Sequence, residues 1–339
     1  MNGAESPVLC VVIDTEEEFD WSQPLSRENR SVTSIQAQGR AQEIFARYGI
    51  VPTYVVDHPV ATDPEAVAVL KSYLDAGACE IGAHLHPWVN PPHEETVGQY
   101  NSYPGNLPED LERRKLACLT EAVADSFGVR PKVYKAGRYG IGPNTGAILE
   151  SLGYCVDTSV VPFTDFPGEG SPDFGTAPPV PGTLGPSGTL MALPLTAGFA
   201  GRLSRQGPRL YPRLTSPWGM RLRAPGIFAR SGLLERIRLT PEGCDWRDHL
   251  RLVRAMLDEG WPGVFTYTYH SPSLAPGNTP YVRDAAQLDA FLDSMDRFFD
   301  GFFSEMKGRS ATVMQIYADW KRQGGGGPAH DPGMRQRAS

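Results

Sequence analysis

Apolar positions along the first part of the chain alternate between short continuous runs and stretches with helical spacing. Leu9–Ile13, Ile50–Val56 and Cys79–Ala83 have the length of buried strands. Between them, Ser34–Tyr48 and Asp63–Ala76 carry apolar residues at the helical period. Buried strands that alternate with amphipathic helices are typical of a parallel sheet or barrel with helices outside it. The pattern therefore predicts an α/β protein.

The alternation continues toward the C-terminus after a break in the middle of the chain. The further predicted elements are the helices Pro108–Phe127, Asn144–Leu152, Asp245–Glu259 and Ala285–Phe303, and the strands Lys132–Ala136, Tyr154–Asp157, Leu190–Leu195, Gly263–Tyr269 and Thr312–Tyr317. Residues 162–238 interrupt this order, first with a stretch rich in proline and glycine and then with one rich in arginine. We expect a single domain over residues 1–322, an irregular insertion at about 162–238, and a disordered tail at 323–339.

Composition narrows the class of protein. The 339 residues are 40% hydrophobic and 21% charged, with a net charge of −7, so nucleic acid is not an expected partner. The five cysteines form no CxxC pair, which argues against a disulfide framework or a cysteine-based zinc site. No apolar run approaches the roughly 18 residues that a transmembrane helix needs. We expect a cytoplasmic protein without a transmembrane segment.

Polar clusters follow the carboxyl ends of several predicted strands. In α/β barrels the loops at this edge gather the active site. The clusters are Asp14/Glu16, His84/His86, Arg138/Tyr139, Asp157 and His270. Their common position predicts that these side chains surround one site.

The histidine pair suggests a metal centre. Residues two apart on a strand share a face, so His84 and His86 can direct both imidazoles to one point. Asp14 directly follows a buried strand and is followed by Glu16, with Glu17 as the rival carboxylate. Two imidazoles and a carboxylate suit Zn²⁺ or another divalent ion, and the second carboxylate can act as a base. This combination predicts metal-assisted hydrolysis, with His93 as an exposed loop residue and only a reserve ligand.

Two further residues have open roles. Arg138 lies in a glycine-flanked turn and either makes a structural ion pair, orients a catalytic carboxylate or binds substrate. His270 ends a β-rich run and is either a loop residue or a general acid.

The segment from Gly201 to Arg238 holds nine arginines, no lysine and one acid, Glu235. We interpret it as a solvated cover, with contact to an anionic substrate as the alternative.

Several motifs in this order resemble the polysaccharide deacetylase superfamily, that is the NodB-homology or carbohydrate esterase family 4 proteins, and most closely its WalW-like branch. The resemblance covers roughly residues 8–320. The matching segments are Ile13-Asp14-Thr15-Glu16-Glu17, Glu80-Ile81-Gly82-Ala83-His84-Leu85-His86-Pro87-Trp88, Ala136-Gly137-Arg138-Tyr139-Gly140, Asp157-Thr158-Ser159, Tyr269-His270-Ser271-Pro272-Ser273-Leu274 and Pro276-Gly277-Asn278-Thr279-Pro280-Tyr281-Val282.

The resemblance implies a distorted (β/α)7-type barrel and metal-dependent deacetylation of an N-acetylated saccharide or sugar-lipid precursor in cell-surface polysaccharide metabolism. It also implies roles for single residues: Asp14 as the catalytic base, Glu16 as a metal ligand, Arg138 as the support of the base, and His270 as the general acid. The chain departs from the family where adjacent aspartates are usual, and where the second histidine normally stands four residues after the first. Here that position is Trp88, so His86 would have to be the ligand.

Two other functions stay open on the sequence alone. One is a glycosidase-like or other C–N hydrolase that uses Asp14 and Glu17 without a metal. The other is a non-catalytic saccharide-binding protein, which the altered histidine spacing would suit.

Overall fold

A computed structural model describes residues 6–330 of the chain. Within this range it contains thirteen strands, and many of those in residues 162–238 are short. The strands are β1 (Val8–Thr15), β2 (Thr53–Val56), β3 (Glu80–Leu85), β4 (Val133–Ala136), β5 (Val156–Asp157), β6 (Thr164–Asp165), β7 (Asp173–Phe174), β8 (Gly182–Leu184), β9 (Leu190–Ala192), β10 (Ala197–Ala200), β11 (Glu235–Arg238), β12 (Val264–His270) and β13 (Arg309–Ser310).

One curled sheet forms the centre of the fold. Its strand order is β12-β1-β2-β3-β4-β5-β9-β8, and β13 pairs with the first residues of β1. All neighbours are parallel except β8 and β9. The edge strand β12 also bonds to residues beyond β9, because the Thr266 amide donates to Thr196 Oγ1 at 2.8 Å and the Thr268 amide to the Leu239 carbonyl at 3.2 Å. These bonds partly close the sheet and confirm the predicted distorted barrel.

Helices connect the strands and pack on the sheet. The α-helices of the described residues are α1 (Gln38–Arg47), α2 (His58–Thr62), α3 (Pro64–Asp75), α4 (Glu109–Phe127), α5 (Thr145–Leu152), α6 (Gly207–Leu214), α7 (Pro217–Arg221), α8 (Ala224–Arg230), α9 (Trp246–Asp258), α10 (Ala285–Asp300) and α11 (Val313–Arg322). Their starts follow local chemistry: Asp63 caps α3 by accepting from the Ala66 amide at 2.8 Å, and Pro64 occupies the first turn. None of these helices has the length and apolar character needed to cross a membrane.

Two predictions near the C-terminus are wrong. The segment predicted as the strand Thr312–Tyr317 begins the helix α11, because Thr312 and Gln315 form a reciprocal capping box at its start. Residues 323–330, predicted as part of a disordered tail, instead bond to the strand β8: the Thr183 amide donates to the Pro328 carbonyl at 3.1 Å, and the His330 amide to the Thr183 carbonyl at 2.9 Å. Residues 331–339 of that predicted tail lie outside the described part.

The predicted insertion, residues 162–238, is more ordered than its composition suggested. Residues 162–238 contribute β8 and β9 to the main sheet and form a separate antiparallel ribbon from β10 and β11. The helices α6, α7 and α8 lie between the two strands of this ribbon in sequence. Of these elements, β9 coincides with the predicted strand Leu190–Leu195, whereas β8, β10, β11 and the three helices were not predicted.

Candidate active site

A cavity of about 600 Å³ opens at the carboxyl ends of the sheet strands. Its lining includes Asp14, Glu16, His84, His86, Arg138, Tyr139 and His270, together with aromatic and apolar side chains from the loops. The register of the strands explains why these side chains lie close together. Asp14 of β1 lies opposite His270 of β12, and His84 of β3 lies opposite Lys135 of β4. Neighbouring residues in register on parallel strands point to the same face of the sheet.

Glu16, His84 and His86 converge in one buried corner of this cavity. Glu16 Oε2 lies 3.2 Å from His84 Nε2 and 3.5 Å from His86 Nε2. These distances are close to the edge of about 3.3 Å between donor atoms around a tetrahedral Zn²⁺ with bonds of 2.0–2.1 Å. All three side chains are almost fully buried.

Hydrogen bonds on the far side of each imidazole fix which nitrogen faces this point. His84 Nδ1 donates to the Lys135 carbonyl at 3.0 Å, so in the neutral ring Nε2 is an acceptor. His86 Nδ1 lies 2.6 Å from Glu17 Oε2, an arrangement that orients many metal-ligating histidines. Burial lowers the pKa of both rings to about 4, so both are neutral at pH 7. His84 Nε2 therefore faces the Glu16 carboxylate as an acceptor, and so does His86 Nε2 in the tautomer in which Nδ1 donates to Glu17. A cation between the three atoms would satisfy all of them. The donor set fits Zn²⁺ or a similar divalent ion.

Glu17 occupies a different place from Glu16. Its side chain is buried behind His86, and its backbone amide donates to Asp57 Oδ2 at 2.7 Å. Asp57 also caps α2 through the Val60 amide at 2.8 Å. Burial raises the pKa of Glu17 to about 8 and that of Asp57 well above its usual range. Glu17 thus orients an imidazole, whereas Glu16 faces the cavity.

A second polar group lies beside the histidine pair and centres on Asp14. Lys135 Nζ, completely buried on β4, bonds to both carboxylate oxygens of Asp14 at 2.5 and 2.7 Å. Burial acts to raise the pKa of Asp14, but Lys135, His270 and His84 outweigh it and lower that pKa. Asp14 is therefore ionised at neutral pH. The sequence interpretation did not single out Lys135, although a lysine inside a buried strand needs a charged partner.

His270 is held between two carboxylates. Its Nε2 lies 3.4 Å from Asp14 Oδ2, and its Nδ1 bonds to Glu242 Oε2 at 2.7 Å. Glu242 also accepts from the His270 amide at 3.0 Å and from Ser273 Oγ at 2.6 Å. Burial acts to lower the pKa of His270, but Glu242, Glu16 and Asp14 raise it to about 9. The ring is thus a protonated acid at neutral pH, and Glu242 is a second residue that the sequence interpretation missed.

Arg138 lines the cavity but does not contact Asp14. Its guanidinium bonds to Ser102 Oγ and stacks on the Tyr103 ring at 4.4 Å, so the expected support of the base comes from Lys135 instead. Arg138 and Tyr139 both have positive φ angles, of 52° and 62°. Non-glycine residues in this region are uncommon and often mark a functional turn. The strained turn directs Arg138 into the cavity wall rather than toward the strand ends.

The remaining predicted positions fall outside the cavity lining. Asp157 bonds to Ser159 Oγ at 2.7 Å, and Ser159 in turn accepts from the Ala136 amide at 2.8 Å, so this carboxylate orders the ends of β4 and β5. His93 is exposed on a loop, as predicted. Trp88, at the position where the related motif has a histidine, stacks on His86 with ring centroids 4.3 Å apart. It therefore packs against the ring of a candidate ligand.

Aromatic side chains lie beside His270 and beside the histidine pair. Trp21 contacts the His270 ring edge-on at 5.2 Å and the Tyr281 ring at 5.7 Å, and Phe19 packs beside Trp88 at 5.8 Å. The loop that carries Trp21 is tied down where Arg27 donates to the Glu95 carbonyl at 2.5 Å. Flat aromatic faces next to a protonated histidine suit a ligand with both apolar and hydroxyl-bearing faces.

Comparison with solved structures supports the fold assignment. A Mycobacterium smegmatis protein assigned as a polysaccharide deacetylase aligns at a TM-score of 0.50 over 97% of this chain and 95% of its own, with 19% identity. A Pseudomonas aeruginosa PAO1 protein assigned in the same way aligns at 0.53 over 93% and 91%, with 16% identity. The chain has a NodB-like deacetylase fold.

The chain also aligns with a solved structure that is named as an allantoinase. PuuE allantoinase aligns at a TM-score of 0.52 over 93% of this chain and 90% of its own, with 17% identity. No family model and no curated protein sequence matches the chain. Identities this low establish the fold, and the argument for function therefore depends on the cavity. The WalW-like branch stays a prediction.

Proposed function

We propose that this protein is a metal-dependent hydrolase that removes the acetyl group from an N-acetylated saccharide. One observation carries the proposal: the candidate ligands Glu16, His84 and His86 share a cavity with the ionised Asp14 and the protonated His270. Amide hydrolysis needs an electrophile for the carbonyl, a base for water and an acid for the departing amine. These residues offer each of the three.

The candidate ligands would hold Zn²⁺ or another divalent ion, which would supply Lewis acidity toward the acetamide carbonyl. Asp14 would accept a proton from the attacking water, since Lys135 keeps its carboxylate ionised. His270 would give its Nε2 proton to the amine as the C–N bond breaks, leaving acetate and a free amino sugar. Glu242 would hold the ring through Nδ1 during this transfer. Because Asp14 and His270 are 3.4 Å apart, both can reach one amide group.

The cavity walls favour a saccharide with polar substituents. Trp21 and Tyr281 provide ring faces beside His270. Arg138 and Arg238 also line the cavity, and neither forms an ion pair within residues 6–330, so their uncompensated charges would suit hydroxyl or anionic groups of the substrate. The same chemistry would apply to a free saccharide and to a sugar-lipid precursor of cell-surface polysaccharide. A cytoplasmic location stays a prediction.

The metal-free alternative is less consistent with the site. It requires Asp14 and Glu17 to flank one substrate bond. Glu17 is instead buried behind His86 and absent from the cavity lining. Measurement of acetate release distinguishes the proposal from the alternative of a non-catalytic saccharide-binding protein.

The test combines metal analysis with acetate release from N-acetylglucosamine oligosaccharides. Purified protein should hold about one divalent ion per chain. His84→Ala should lose that ion and lower the rate of acetate release by roughly 100-fold or more. The matched control is His93→Ala, which removes an exposed histidine outside the cavity and should change neither quantity.

Three results would contradict the proposal. Full activity after chelation, or in His84→Ala, would favour a metal-free hydrolase. Saccharide binding without acetate release would favour a binding protein. Turnover of allantoin without turnover of the oligosaccharides would move the chemistry to another amide substrate.

A further inference from the structure

The excursion between β10 and β11 carries an unusual surface. We call residues 201–230 the arginine-rich cap; it contains the helices α6, α7 and α8. The cap has no acidic residue, and all seven of its arginines are exposed: Arg202, Arg205, Arg209, Arg213, Arg221, Arg223 and Arg230. Within the described part of the chain none of the seven forms an ion pair, and Arg205 bonds only to the Asp258 carbonyl. The positive charge of the cap is therefore not neutralised by the fold.

Large apolar side chains project from the same surface. Trp218 is 74% exposed, Met220 58%, Leu222 67% and Ile227 53%. Across residues 6–330 only three other large hydrophobic side chains are comparably exposed, and they are scattered elsewhere. Arg221 and Arg223 alternate with these apolar residues in sequence. A concentrated apolar patch with cationic neighbours marks an interaction surface.

We propose that the arginine-rich cap binds the surface of an anionic lipid bilayer. Short helices that expose Trp, Leu and Ile among arginines can bury apolar side chains at the headgroup boundary while the guanidinium groups contact lipid phosphates. Each basic residue near an anionic membrane adds to binding. The occupant must be anionic, because the cap carries seven positive charges although the whole chain has a net charge of −7.

Other partners fit the surface less well. A second copy of the cap would bring fourteen uncompensated arginines together, twice the seven of one copy, and repel it. A nucleic acid would use the arginines and could stack on Trp218, but it offers no apolar phase for Met220, Leu222 and Ile227. A bilayer interface accommodates both kinds of side chain.

The strands β10 and β11, which carry the cap, make packing contacts close to the cavity. Phe199 of β10 packs on Tyr211 of α6 with centroids 5.4 Å apart, and Arg236 of β11 bonds to Thr164 Oγ1. Thr196, just before β10, and Arg238, at the end of β11, both line the cavity. The four-residue strands β10 and β11 connect this end of the ribbon to the cap, and each spans about 13 Å. The proposed membrane surface would thus lie near the cavity mouth, whatever substrate the cavity takes.

The test measures sedimentation of the full-length protein with vesicles of phosphatidylcholine alone or with 30 mol% phosphatidylglycerol. The protein should bind the anionic vesicles and not the neutral ones, and added salt should weaken binding. Trp218→Ser/Leu222→Ser and Arg221→Gln/Arg223→Gln should each lower the partition coefficient at least about tenfold, since one basic residue contributes about fivefold. Both variants should retain acetate release from soluble oligosaccharides.

Matched controls change the same chemistry elsewhere. Val129→Ser removes an exposed apolar side chain beyond α4, and Arg113→Gln/Arg130→Gln removes two charges from exposed ion pairs. Both controls should bind anionic vesicles like the unmodified protein. Equal binding by cap and control variants would overturn the proposal, as would binding to duplex DNA without binding to vesicles. Dimerisation that Trp218→Ser abolishes, without vesicle binding, would assign the patch to self-association and also overturn it.

Discussion

Replacing Lys135 by methionine tests the charge pair on which the candidate base depends. Lys135 is completely buried and Asp14 nearly so, and the ammonium group bonds to both carboxylate oxygens. Removing one partner of a buried ion pair costs about 3–5 kcal/mol, because the other charge remains buried without compensation. Lys135→Met should therefore lower the free energy of unfolding by this amount at pH 7, as measured by urea denaturation.

The pH dependence separates this electrostatic cost from lost packing. In the unmodified protein the pKa of Asp14 is lowered, so its stabilising contribution is present above about pH 4 and is lost as the pH falls. Without Lys135, burial should raise that pKa above its unfolded value, so stability should instead fall as the pH rises above about 4. The difference in stability between the two proteins should therefore widen between pH 4 and pH 7.

A double variant provides the decisive control. Asp14→Asn/Lys135→Met removes both charges, and it should recover roughly 2–3 kcal/mol relative to Lys135→Met alone. Acetate release should stay low in both variants, since the base is altered in one and absent in the other. A loss in Lys135→Met of under about 1 kcal/mol, or one that does not change with pH, would refute the assignment of a buried ion pair.

Two further variants examine the surroundings of the site. Glu242→Gln removes the charge that raises the pKa of His270 to about 9, so the high-pH limb of the activity profile should move to lower pH; an unmoved limb in a folded variant would exclude His270 as the acid. Gly137→Ala places a Cβ against His86 Cδ2 and the Leu85 carbonyl, and it should weaken metal affinity about 10–100-fold. The control is Gly326→Ala, where the Cβ meets nothing within 4 Å; equal affinities in the two variants would contradict the role of His86.

The parts of the site that the sequence could predict are those encoded by local pattern. His84 and His86 follow an apolar run, and Asp14 ends another, so strand periodicity and the shared carboxyl edge were enough to bring them together. Residues that act through long-range contacts were missed. Glu242 reaches His270 across 28 positions of sequence, and no local motif marks it.

Local signals were also misread where two patterns competed. The β-branched and aromatic residues of 312–317 favour a strand, but the pair Thr312 and Gln315 supplies a helix start, and that capping box decides the structure. Lys135 could have been predicted from a different kind of signal, namely a charged residue within an otherwise apolar strand. A lysine inside the strand Val133–Ala136 has no place in an apolar layer unless a carboxylate neutralises it.

The balance of charge in the cavity gives a final reason to expect a cation. Lys135 faces Asp14, and the protonated His270 faces Glu242, so each of these carboxylates has a positive partner. Glu16 has its close contacts with the neutral rings of His84 and His86, and although the charge of His270 favours its ionised form, burial outweighs this and raises its pKa. A buried carboxylate in that position is costly unless a proton or a cation joins it. Of the two, the cation also satisfies both imidazole nitrogens, whose other nitrogens already bond to the Lys135 carbonyl and to Glu17. The strand-end histidines thus favour a metal even though their spacing differs from that of the related motif.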